Sequence, residues 1–145
     1  LIDMKIEPFL VASTVNIIIA QRLVRKICEM CKTSLKISNE ELIKNIPTNI
    51  VTKNLGNNKQ YMTYKGKGCK ICHNTGYSGR IGIFEILEIS KNIKALIVKK
   101  ADSEVIAQQA IREGMTTMLD DGLDKIKKGL TTLEEVLRVT KIETI

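Results

Sequence analysis

The sequence predicts an α/β fold in which a small cysteine lobe sits between two strands and a helical bundle follows. Three observations predict it. Two strand-like stretches, Gln21 to Ile27 and Arg80 to Ile89, bracket the cysteines. The cysteines come only as two Cys-x-x-Cys pairs, Cys28/Cys31 and Cys69/Cys72, with residues 32 to 68 between them. Past residue 90 the apolar residues recur at helical spacing, punctuated by capping residues and glycines.

Taken in order, residues 1–27 read as a helix and then a strand. Pro8 suits a first helical turn. Phe9, Leu10, Val11, Val15, Ile17, Ile18 and Ile19 are too densely apolar for a one-sided surface helix, so the helix is expected to be buried on most sides. QRLVRKI alternates from Arg22 and runs straight into Cys28. Residues 28–79 form the cysteine lobe. Ser38-x-x-Glu41 opens a short helix by the capping-box pattern. Pro47 and the cluster Asn54, Gly56, Asn57, Asn58 argue for irregular structure over Ser38 to Gln60. Tyr61 to Tyr64 reads as a short strand, and Gly66, Gly68, Gly76 and Gly79 fit tight turns around a metal.

Residues 80–89 (RIGIFEILEI) read as a strand buried on both faces. Residues 90–145 read as the bundle. Ser90 caps a helix with the stripe Ile93, Leu96, Ile97. Asp102 caps one carrying Val105, Ile106, Ala110 and Ile111, which ends at Gly114. Thr117 to Lys128 carries Met118, Leu119, Leu123 and Ile126, and Gly129 closes it. Thr132-x-x-Glu135 opens a last short helix.

Composition bounds the function. A hydrophobic fraction of 43% supports a core, but aromatics are 3% and there is no Trp, so that core is aliphatic. No apolar run approaches the ~18 residues of a membrane span. The start, LIDMKIEPFL, lacks an initiating Met and the shape of a signal peptide, and the expectation is a chain cut from something longer. CxxC pairs without an export signal favour a reducing compartment and a metal. The net charge of +7 is uneven: between Leu42 and Phe84 there is no Asp or Glu, but Lys44, Lys53, Lys59, Lys65, Lys67, Lys70 and Arg80 are present. Such a patch suits nucleic acid, phospholipid headgroups or an acidic protein, or is simply a solvated surface.

Cys28, Cys31, Cys69 and Cys72 are the candidate zinc ligands. Two Cys-x-x-Cys turns close a tetrahedral S₄ site without an open coordination position, so the metal is expected to be structural. The alternatives are two disulfides or a lobe without metal. His73 could replace a ligand, but reads better as a surface histidine. With one His there is no triad, and Glu85 and Glu88, three apart on a strand, face opposite ways. Gly66-Lys67 fails the phosphate-loop pattern, since Tyr61 holds its first position and Gly68 its last. No catalytic residue is predicted.

Three ordered blocks carry a resemblance. IEPFLVASTVNIIIAQRLVRKICEMC, GCKICHNTGYSGRIGIFEIL and GMTTMLDDGLDKIKKGLTTLEEVLRVT are similar to stretches of the GspE/PilB family, the type II secretion and type IV pilus assembly ATPases. The resemblance runs from Leu1 to about Thr140; residues 33–60 match nothing nameable, Glu29 stands where the family often has Pro, and Lys5 where it has Gly. It implies the C-terminal part of a RecA-like hexameric ATPase core, starting after the Walker A, Walker B and histidine-box segments. Residues 1–27 would end that core, 28–79 would be its zinc lobe, 80–89 a core strand and 90–145 the C-terminal bundle. The family uses ATP and Mg²⁺ to drive an inner-membrane platform protein from the cytoplasmic side. Cys28, Cys31, Cys69 and Cys72 match its zinc ligands, Gln21, Arg22 and Leu23 its QRL segment, and Arg80 an arginine that approaches the nucleotide base. The resemblance leaves the choice between pilus and secretion open. The competing readings are a zinc-ribbon-like module binding nucleic acid or protein, weakened by having only Tyr61, Tyr64 and Tyr77 for stacking, and a chaperone zinc module of the DnaJ type, weakened by a single copy.

Overall fold

The computed structural model describes residues 6–140. Lys5 and the outer ends of the first and last predicted segments lie outside the described residues. Among the described residues, four strands and seven helices follow the order α1 (Pro8–Thr14), β1 (Ile17–Ile27), β2 (Lys32–Ser38), α2 (Asn39–Ile43), α3 (Thr48–Leu55), β3 (Gln60–Gly66), β4 (Tyr77–Glu88), α4 (Lys91–Val98), α5 (Ser103–Arg112), α6 (Met118–Lys127) and α7 (Leu133–Val139). Strands β1 and β4 pair, as do β2 and β3. The chain divides into two compact units. Among the described residues, one holds residues 6–20 and 85–117, the other residues 21–84 and 118–140.

In the first unit α1 packs on α4, and α4 on α5. Its core is Val11, Ala12, Ile89, Ile93, Ile97 and Ala110. Pro8 takes the first helical turn as its ring predicts. Ser90 Oγ accepts the Ile93 N–H at 3.2 Å, a cap for α4. Asp102 occupies the N-cap position of α5 without a side-chain cap bond. The first helix is shorter than its apolar run. Val15 already has extended backbone, and Ile17, Ile18 and Ile19 belong to β1, where three consecutive β-branched residues fit better than in a helix. Nor is α1 buried on most sides: Val11 and Ala12 face the core, whereas Phe9 and Leu10 are exposed.

The second unit has the larger core, of Ile37, Leu42, Ile46, Val51, Tyr61, Leu119, Leu123, Ile126 and Val136. Residues 38–60, expected to be largely irregular, hold α2 and α3, and β2 leads into them. Ser38 Oγ accepts the Glu41 N–H at 3.2 Å, so the capping pattern was informative. Pro47 stands at the N-cap of α3 and opens that helix rather than a loop. Strands β2 and β3 run antiparallel from Lys32↔Gly66, beside the cysteines, to Ser38↔Gln60 at the far end. Helix α6 lies on α3, β3 and α7. The α6–α7 approach is close enough that a Cβ on Gly122 would stand 2.5 Å from Val136 Cγ1. The helices after β4 are therefore shared out, α4 and α5 in one unit and α6 and α7 in the other.

Strand β4 corrects the expectation of burial on both faces. Only Ile83 is fully buried within it, and Phe84 and Ile86 are exposed. Strand β1 is likewise buried only at Val24 and Ile27, with Ile17, Ile18, Ile19 and Leu23 open to solvent.

Candidate metal centre

The cysteine-bearing turns are held by backbone before any metal is considered. Strand β1 delivers Cys28, whose N–H donates to Gly76 O at 2.9 Å, while the Ile27 N–H donates to Leu130 O at 3.0 Å. Cys31 N–H turns back to Cys28 O at 3.3 Å, and Lys67 N–H donates to Cys31 O at 3.0 Å. In the second pair Asn74 N–H returns to Cys69 O at 2.9 Å and Thr75 N–H to Cys72 O at 3.0 Å. His73 and Asn74 adopt left-handed backbone at φ 50° and 60° to make this turn. A Cβ on Gly66 would stand 2.1 Å from Gly76 O, so the end of β3 and the segment after the second pair meet only because residue 66 is Gly.

The four Sγ atoms lie within 4.8 Å of one another. Cys28 to Cys69 is 3.9 Å, Cys31 to Cys72 is 3.8 Å and Cys69 to Cys72 is 3.7 Å. A tetrahedron of sulfurs around a zinc ion, at the usual ~2.3 Å bond, has edges of about 3.8 Å. A disulfide needs about 2.05 Å, and all four cysteines are free thiols. The arrangement can hold a metal such as zinc, and the disulfide alternative does not describe it.

The electrostatics fit a cation. Burial alone would raise the Cys72 thiol. The N–H groups of Cys69 and Gly76, 3.2 and 3.3 Å from its sulfur, outweigh that and bring it down to about 6. Cys31 is pushed up to about 11, first by burial and then by the neighbouring thiols. Four sulfurs this close cannot all ionise alone, and a divalent ion supplies the charge that lets them do so.

The remaining predicted residues stand apart from the sulfurs. His73 is exposed and is not part of the cluster. Arg80 lies exposed on β4. Sequence reasoning missed a clasp in the second unit. The Glu135 side chain is 2% exposed. It accepts from Arg25 Nη2 at 2.8 Å, Arg25 N–H at 2.9 Å and Arg138 Nη2 at 2.9 Å. Arg25 also lies 4.1 Å over the Tyr77 ring, and the Tyr77 hydroxyl is 3.0 Å from Thr132 Oγ1. Glu135 was legible only as a capping-box residue. Thr132 Oγ1 does accept the Glu135 N–H at 3.4 Å, but the carboxylate is turned to the arginines, one of them 110 positions away.

The fold and the site together describe an α/β protein with a four-cysteine cluster that can hold a metal, set between two of its strands. Residues 1–138 match the family described as Type II/IV secretion system protein, and the chain belongs to that family. It is 36% identical to the type IV pilus assembly ATPase PilB of Myxococcus xanthus, over 94% of this chain and 23% of that protein. It is 38% identical to the type II secretion system ATPase E of Vibrio cholerae, over 96% and 26%, and 39% identical to PilB of Pseudomonas aeruginosa, over 97% and 24%. The chain thus spans about a quarter of the length of these relatives.

Proposed function

We propose that this chain is the C-terminal portion of a traffic ATPase that powers type IV pilus assembly or type II secretion. Cys28, Cys31, Cys69 and Cys72 hold a structural zinc in it. The observation that carries the reading is similarity to pilus and secretion ATPases over nearly the whole chain, joined to four sulfurs at the edge length of a zinc tetrahedron. The exposed isoleucines of β1 support the assignment of residues 1–27 to the edge of a RecA-like core, since Ile17, Ile18 and Ile19 leave both strand faces uncovered. In the parent protein, a hexamer using ATP and Mg²⁺ at the cytoplasmic face of the inner membrane, these faces pack on the preceding part of the core. Arg80 approaches the nucleotide base, and the platform protein receives the motion. The zinc supplies four metal–sulfur bonds in place of apolar core, and no chemistry on nucleotide. A nucleic-acid module fits less well, because the tyrosines available for stacking are engaged. Tyr61 is buried with its hydroxyl donating to Gly56 O at 2.7 Å, Tyr64 lies under Lys32, and Tyr77 under Arg25.

The test is metal content and ATP turnover of two proteins. The 145-residue chain is expected to carry one zinc per chain by mass spectrometry and to hydrolyse no ATP, and the parent to carry the same zinc and hydrolyse ATP. A chain purified under reducing conditions without metal overturns the zinc assignment. Hydrolysis by the short chain, or none by the parent, overturns the motor assignment.

A further inference from the structure

The tip of the cysteine lobe carries features that a purely structural zinc site does not require. The two Cys-x-x-Cys turns each contain one large apolar residue immediately before the second cysteine, Met30 and Ile71. Among the described residues they are the most exposed and the third most exposed large apolar side chains, at 73% and 67%. Both flank cysteines whose sulfurs are 3.8 Å apart, Cys31 and Cys72. Lys67, whose N–H is tied to Cys31 O, and Lys70, inside the second turn, are exposed beside them. Lys65 is exposed opposite Thr33, next to the cysteine end of the β2–β3 ladder. The one acidic residue within the turns themselves, Glu29, is set against Lys32 at 3.7 Å.

We propose that this tip docks on an anionic lipid bilayer, with Met30 and Ile71 entering the headgroup region and Lys65, Lys67 and Lys70 facing lipid phosphates. The proposal deepens the membrane-side location proposed above, naming the surface through which it is reached. Charge complementarity selects the partner: no Asp or Glu occurs from Leu42 to Phe84. The chemistry favours lipid over a protein partner. The cations here are lysines, point charges that suit a fluid array of phosphates, whereas specific protein contacts are anchored by Arg, Trp and Tyr. Two single apolar side chains, one on each hydrogen-bonded cysteine turn, resemble interfacial anchors more than the contiguous core of a protein interface. The three lysines also offset the net negative charge that four thiolates leave around a divalent ion. That role is served by any nearby cation and does not call for Met30 and Ile71 to be bare.

The experiment is co-sedimentation of the zinc-loaded 145-residue chain with vesicles of phosphatidylcholine, with and without phosphatidylglycerol. Binding is expected only with phosphatidylglycerol. The Lys65→Gln/Lys67→Gln/Lys70→Gln variant is expected to bind on the order of 100-fold more weakly, at roughly tenfold or less per lysine near the surface. Met30→Ser/Ile71→Ser should weaken binding on the order of tenfold. A charge-matched control, Lys36→Gln/Lys44→Gln/Lys59→Gln, changes exposed lysines away from the cysteine end of the ladder and should bind within a few-fold of the parent sequence. Metal content of every variant verifies the fold of the lobe. No binding to phosphatidylglycerol vesicles, unaltered binding by the tip variants, or equal loss in the control overturns the proposal. None of these outcomes involves ATP, so the motor assignment stands or falls separately.

Discussion

At the residue scale, Glu135 shows how a buried charge is kept. Burial raises a carboxyl group, but hydrogen bonds from Arg138 and Arg25 and the Arg25 backbone N–H outweigh it and bring Glu135 down to about 2 from its ordinary 4.5. A depressed carboxylate stabilises the fold above its unfolded value and loses that contribution as pH falls through its folded value. Glu135 thus contributes fully above about pH 4.5, and the contribution fades towards pH 2. Because both arginines are half exposed, solvent screening holds it to about 2 kcal/mol. Glu135→Gln is expected to lower unfolding free energy by about 2 kcal/mol at neutral pH in urea titrations, with the gap to the parent sequence closing as pH falls from 4.5. Taking the difference removes the acid release of metal, which both proteins share. A gap constant with pH would assign the loss to packing instead.

At the scale of elements, the α6–α7 contact is decided by one missing methyl group. Gly122 is buried in mid-helix, where Gly is about 1 kcal/mol worse than Ala in helix propensity. A methyl there would press on Val136, which is itself wholly buried. Overpacking costs roughly 1–3 kcal/mol, so it outweighs the propensity gain. Gly122→Ala is expected to lower the melting temperature, and adding Val136→Ala should recover part of the loss. If Gly122→Ala alone raises the melting temperature, the helices can separate without penalty. The same helix illustrates what was readable locally. Met118, Leu119, Leu123 and Ile126 mark α6 by their spacing, and the structure begins it at Met118. Helix α3 was hidden because its Pro and Asn read as loop signals, although Pro47 is placed where it starts a helix. Strand β2 was missed because KTSLKIS is polar and gains its regularity from pairing with β3.

For the whole molecule, the two units make different demands on metal. The first has an apolar core and no cysteine. The second contains all four. Chelation under reducing conditions is expected to remove hydrogen-exchange protection from the cysteine turns and the adjoining ends of β2 and β3, while the amides of α4 keep theirs. Structural zinc contributes roughly 10–16 kcal/mol in small peptides, more than the net stability of most domains. Loss of protection throughout α4 as well would mean that both units unfold together; retained protection at the cysteine turns would mean that backbone contacts alone hold the lobe.

The cysteine site was legible because its information is local: a Cys-x-x-Cys turn brings two sulfurs together whatever surrounds it, and two pairs close one tetrahedron. The capped helices α2, α4 and α7 were legible for the same reason, each carrying its own first-turn hydroxyl. Burial was not. Ile17 to Ile19 and the apolar side chains of β4 look like core in sequence, yet stand exposed, because hydrophobicity states what a residue prefers and only packing states whether a partner is present. The Arg25–Glu135–Arg138 clasp and the contact of Gly66 with Gly76 join distant positions, and no spacing rule encodes them. Local chemistry named the four cysteines that lie together; the meeting of remote segments decided which surfaces of this protein are closed and which are left for others.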